Sequence, residues 1–207
     1  MVCSLIFLNQ MQLGQAAQQF IYTWGLIPAR LMGYAQLPFD APPASWTLIS
    51  SMFLHGSVAH LGGNMLYLWT FGDNVEDRMG HARFTLFYLM CGLAAAGTQI
   101  LIDPASAIPM VGASGAIAGV LGAYLVLFPH AMVYVYFPYL GIQMVRARYV
   151  LATWFLYQFV LGVADLGSSG GGIAFWAHIG GFVAGWLLAI ILFRRAPPQK
   201  RRAQLWE

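Results

Sequence analysis

The chain has 207 residues, of which 59% are apolar and 8% charged, whereas a soluble domain carries about 25% charged residues. With a mean hydropathy of +0.67, this excludes an ordinary soluble globule, and the length suits one compact unit, residues 1–207, rather than several domains. The net charge is +3 and gathers in a C-terminal tail, so no nucleic-acid partner is needed to explain it.

A membrane-spanning helix needs about 20 mostly apolar residues, and spans can be placed in chain order on that rule. Met1–Leu8 is apolar but short, and a run of Asn9, Gln10, Gln12, Gln15, Gln18 and Gln19 follows. The first span is therefore expected to be short or truncated, or completed by the 16–27 segment. Ile21–Tyr34 reads as interfacial and 35–45 as a Pro-rich loop. The second span is expected from about His60 to Phe71, with an amphipathic lead-in from Trp46, closed by the charged run Asp73–Arg78. The third runs from about Phe84 to Ile102 and ends at Asp103-Pro104. The fourth runs from about Ser114 to Phe128 and is stopped by Pro129. A segment over 130–149 carries Pro138, Gly141, Arg146 and Arg148. The fifth span covers about Val150–Ala164. After a Gly/Ser loop at 167–172, the sixth covers about Phe175–Phe193, and residues 194–207 form a basic tail.

Charge orients these spans. The loop at Arg78 and Arg83, the loop at Arg146 and Arg148, and the tail all fall on one side. That side holds nine of the ten Lys and Arg residues, all except Arg30. By the positive-inside rule it is cytoplasmic. Cys3 and Cys91 lie in separate apolar stretches, and their spacing gives neither a disulfide framework nor a zinc site.

Polar side chains at membrane depth are expensive, which makes them functional candidates. Ser114 lies 15 residues before Pro129, so about 22 Å above the cytoplasmic end of its span. His178 lies 16 residues before Arg194, about 24 Å up, and His60 is about 20–24 Å above Asp73 and Glu76. Three spans thus bring polar side chains to one height. Each also has an ordinary explanation, Ser114 as a helix N-cap and His178 as an interhelical hydrogen-bond donor. The pairing argues for more. Gly115, Gly119 and Ala123 in span four match Ala177, Gly181 and Gly185 in span six, and faces of small residues let helix backbones approach closely. Such packing brings Ser114 and His178 within reach, and Ser with His is the minimal pair for acyl transfer. His60 and Asn64, at i and i+4, share a face and can donate to an oxyanion. His55 reads as structural. No HExxH motif is present and no Asp, Glu or Cys shares that depth, so no metal is expected. The chemistry expected is a dyad.

In this order and spacing, His60-Leu-Gly-Gly-Asn64, Gly112-Ala-Ser114-Gly115 and Ala177-His178-Ile-Gly180-Gly181 with Gly185 resemble the rhomboid intramembrane serine proteases of the bacterial six-span type. The turn Val75-Glu76-Asp77-Arg78-Met79-Gly80 is similar to the family's as well. The resemblance covers a core of about 24–193. It implies an all-α polytopic bundle of six transmembrane helices, with Ser114 as nucleophile and His178 as general base. It implies an oxyanion hole from the Ser114 backbone N–H, His60 and Asn64, with Gly112, Gly115, Gly119, Gly181 and Gly185 supporting the packing and no cofactor. It further implies a membrane-embedded loop before span two, and a gate for substrate at span five. Substrates would be transmembrane segments of other proteins, cut near the outer face, in a bacterial inner membrane with lipid as the other partner. The alternative is a catalytically silent relative that binds or escorts membrane proteins. Some family members place a tyrosine under the histidine ring four residues after the nucleophile; here that position is Ala118, leaving His178 to be held by packing or by another aromatic, with Trp176 and Phe175 as candidates.

Overall fold

Lipid offers no hydrogen bonds, so apolar sequence in it folds as helices that satisfy their own backbone. The computed structural model describes residues 1–166 and 174–193 and is mostly helical. The 167–172 loop and the tail from Arg194 lie outside the described residues.

The chain begins with α1 (Val2–Gln12) and α2 (Ala17–Trp24), separated by a 3-10 turn at Gly14–Ala16. Gly14 has φ +53°, a left-handed conformation in which only glycine is at ease. The glutamines after Leu8 therefore do not end α1. One of them, Gln10, is buried: its side-chain N–H donates to the His55 carbonyl at 3.1 Å and its Oε1 accepts from the His55 N–H at 3.3 Å.

Only short helical turns follow, among them α3 (Pro28–Leu31) and α4 (Thr47–Ser50). Irregular backbone needs other partners, and side chains supply them. Arg30, the lone cation assigned to the outer side, donates to the carbonyls of Thr23 and Pro42. Ser50 Oγ donates to the Trp24 carbonyl at 2.7 Å, and Leu26 forms an isolated bridge with Met110.

Next comes α5 (Val58–Tyr67), capped by Ser57, whose hydroxyl accepts from the His60 N–H at 3.1 Å. A π-helical turn at Leu68–Gly72 carries it into α6 (Asp73–Met79). The second span thus continues through the charged run that was expected to close it. Charge marks where a helix leaves apolar surroundings; the reversal itself needs Gly80, at φ +80°. From there α7 (His81–Ile102) presents Phe87, Cys91 and Ala95 as a buried stripe.

At the centre stands α8 (Ser114–Leu127), whose residues from Ala116 to Tyr124 are all buried. Its 14 residues make it about 21 Å long, shorter than a hydrocarbon core of about 30 Å. Irregular chain leads to its first residue, and backbone of that kind at membrane depth is tolerated only within protein or beside a water-filled cavity. Ser114 opens the helix, half-buried beside the buried Ala113.

The 130–149 segment is an antiparallel hairpin, β1 (Met132–Phe137) with β2 (Gly141–Arg146), in the register Tyr134↔Met144 and Tyr136↔Ile142. The alternating Val133-Tyr134-Val135-Tyr136 run favours a strand, so the helical bundle carries a small sheet. The chain ends its described part with α9 (Ala147–Asp165) and α10 (Phe175–Phe193). Among the described residues, three helices are long and apolar enough to cross a membrane: α7, α9 and α10 as far as Leu192.

Candidate active site

The pairing of α8 with α10 is set by glycines. A β-carbon at Gly181 would collide with the Gly115 carbonyl oxygen, and one at Gly185 with the Gly119 carbonyl oxygen. On the other flank of α8, a β-carbon at Gly115 would lie 2.6 Å from the Ala95 β-carbon of α7. Backbone meets backbone along this seam, at the small-residue spacing that permits it.

At the end of the seam, Ser114 Oγ lies 2.8 Å from His178 Nε2. The other ring nitrogen, Nδ1, lies 2.8 Å from Gln158 Oε1 on α9. The Trp154 ring sits 5.9 Å from the imidazole, centroid to centroid, at 38°. Another aromatic thus faces the histidine, as expected, but it is Trp154 and neither of the candidates Trp176 and Phe175. Trp176 instead meets Phe159 edge-on at 6.3 Å, because a residue two positions before His178 projects from a different side of the helix. Phe175 packs beside it, 3.3 Å from where a Gly162 β-carbon would stand. Ala118 is fully buried and contributes no ring.

A second group comes from α5 and the loop before it. Asn64 is buried, and its Nδ2 donates to His55 Nε2 at 2.8 Å. The His55 and His60 rings meet edge-on at 5.1 Å. Gly112 completes this side. Its φ is +124°, its N–H donates to the Ser51 carbonyl at 2.9 Å, and a β-carbon would lie 2.7 Å from His60 Nε2 and 3.6 Å from Asn64 Nδ2. Only glycine lets the chain run this close to the pair before turning into α8.

His60, Asn64, Gly112, Ser114, Gln158 and His178 line one cavity of about 490 Å³. Sequence reasoning missed Gln158 and underrated His55. The first had a usable signal: it is the only amide or charged side chain in α9 between Arg148 and Asp165, and such a residue in an apolar helix calls for a partner. His55, fully buried with Gln10 fixing its backbone, had none, because Gln10 is 45 residues away in the chain.

The Rhomboid domain family matches residues 42–195. The chain belongs to the rhomboid family. It is 30% identical over 177 residues to mitochondrial rhomboid protein 1 of Saccharomyces cerevisiae, covering 83% of this chain and 49% of that one. It is 32% identical over 149 residues to rhomboid protease GluP of Bacillus subtilis, covering 71% of this chain and 26% of that one. RHOMBOID-like protein 5 of Arabidopsis thaliana is 40% identical over 80 residues, 39% of this chain and 26% of that one. The chain therefore spans about half the length of the yeast protein and about a quarter of the other two. With this rhomboid domain and its long apolar helices, it is an integral membrane protein.

Proposed function

We propose that this rhomboid is an intramembrane serine endopeptidase that cuts transmembrane segments of other proteins near the outer face. The observation that carries the reading is the Ser114 Oγ–His178 Nε2 contact of 2.8 Å, at a helix N-terminus opening into a cavity. His178 Nε2 takes the Ser114 proton as Oγ attacks the substrate carbonyl carbon, giving a tetrahedral oxyanion. The first N–H groups of α8 have no intrahelical partner and favour negative charge. With His60 and Asn64 they form the oxyanion hole. The imidazolium then protonates the leaving amine, the C–N bond breaks, and an ester to Ser114 remains. Water, deprotonated by the same histidine, releases the acyl group and restores the hydroxyl. Support comes also from a relative whose name carries the activity, rhomboid protease GluP.

We further infer six crossings in a bacterial inner membrane, with the Arg146 side and the tail cytoplasmic. Labelling of Asp103→Cys and Lys200→Cys from opposite sides checks the orientation; labelling from one side overturns it. The catalytic reading is tested with the purified protein, a fluorophosphonate and a single-span substrate. Wild type is expected to label and to cleave, and Ser114→Ala to do neither. Cleavage by Ser114→Ala overturns the assignment of the nucleophile, and an unreactive Ser114 in folded, non-cleaving wild type overturns the enzyme reading and leaves a silent binding relative.

A further inference from the structure

We propose that Gln158 is a positioning residue for His178: its amide oxygen fixes the imidazole in the tautomer and orientation that a general base for Ser114 requires. The inference rests on the proposed proteolytic reading for its consequence, but not for its geometry.

An uncharged imidazole carries one proton, on Nδ1 or on Nε2. Only an Nε2 lone pair can take the Ser114 proton, so the proton must reside on Nδ1. Gln158 Oε1 is an acceptor with no proton to give, and it lies 2.8 Å from Nδ1. That contact is a hydrogen bond only when Nδ1 carries hydrogen. The acceptor on α9 thus selects the tautomer, and the ring is held at both nitrogens, by helices on either side.

The placement of Gln158 points the same way. It is 7% exposed on a helix that otherwise buries only Ala147, Leu151 and Gly162. Trp154, one turn earlier on the same face, packs against the imidazole at a tilt. One face of α9 therefore supplies both the flat wall and the acceptor. A buried amide costs stability unless it is bonded, and this one is bonded to the site histidine. A carboxylate would serve the same purpose in water-exposed proteases, but a fixed negative charge at membrane depth is far more expensive than a neutral amide. Glutamine orients the ring without adding a charge.

The test uses the purified full-length chain with ring-15N histidine. NMR reads which nitrogen of His178 carries the proton, the signal being assigned by its loss in His178→Ala. Wild type is expected to hold the proton on Nδ1, and Gln158→Leu to give a mixture of tautomers. In the same preparations, Gln158→Leu should lower kcat and the fluorophosphonate labelling rate together, by roughly 10- to 100-fold for the loss of one hydrogen bond, with KM unchanged. Gln158→Glu, which keeps an acceptor at the same reach, should recover Nδ1 protonation and part of the rate. A wild-type His178 protonated on Nε2, or a folded Gln158→Leu that reacts at the wild-type rate, overturns the proposal. If the Gln158→Leu change disturbs folding, the wild-type tautomer alone decides. If wild type does not react with fluorophosphonate, the proteolytic reading fails, while the tautomer still answers for Gln158.

Discussion

The helix α10 has two kinds of neighbour. Toward α8 it presents glycine, and carbonyl oxygens stand where side chains would be. Toward α9 it presents rings: Phe155 against Phe182 at 4.7 Å, and Trp154 against both Phe182 and His178. Residues 116–124 of α8 are buried without a break, whereas most of α9 faces outward, with Leu156, Tyr157, Val160 and Val163 exposed. A backbone seam has no side chains to rearrange and fixes distance. A wall of rings can shift by small rotamer changes and adjusts orientation. The Ser114–His178 contact lies across the first, and the His178 ring leans on the second.

The comparison can be broken most severely at the reactive pair. Replacing Ser114 or His178 by Ala is expected to lower kcat by about 10⁶-fold, and the double variant to be no worse than either single one, since the two act as a unit. Additive losses in a single-turnover assay would show that the atoms across the seam do not work together. Next come the donors of α5: His60→Ala and Asn64→Ala should each lower kcat by about 10²–10³-fold. Unchanged rates in both would make their shared face packing alone.

The seam itself is tested by Gly181→Ala. The added methyl has backbone in its way, so the helices must part. Displacement by about 1 Å costs about 10²-fold in rate, and overpacking costs about 1–3 kcal/mol of stability, read by thermal unfolding in detergent. The matched change on the other side is Gly162→Ala, whose β-carbon meets Phe175 Cβ at 3.3 Å and Trp176 Cε2 at 3.4 Å. Those neighbours can give by tenths of an ångström, so the loss should stay within about tenfold, worth about 1.4 kcal/mol. Equal damage from the two glycines would erase the distinction drawn between the seam and the ring wall.

Much of this was legible in the residues. Ser114, His178, His60 and Asn64 stand out because each is polar in an apolar setting, and their depths follow from helical rise alone. The small-residue spacing indicated which helices approach. What could not be read was anything fixed by contacts far apart in sequence: Gln10 clasping the backbone of His55, and His55 in turn accepting from Asn64. The aromatic that faces His178 was misjudged for a related reason. Trp176 and Phe175 are its neighbours in sequence, whereas the ring comes from α9, 24 residues earlier. The hairpin at 132–146 has a strand signal in its valine–tyrosine alternation, but its pairing depends on a turn at Tyr139 and Gly141, both with positive φ, that apolar content does not reveal.

One consequence of the seam concerns biogenesis. The chain emerges in order, so α8 enters the bilayer while α10 is still unmade. Until the later helix docks its glycines against Gly115 and Gly119, Ser114 has no imidazole beside it. On the proposed reading, a half-made chain is harmless to the membrane that receives it: assembly is the safety catch.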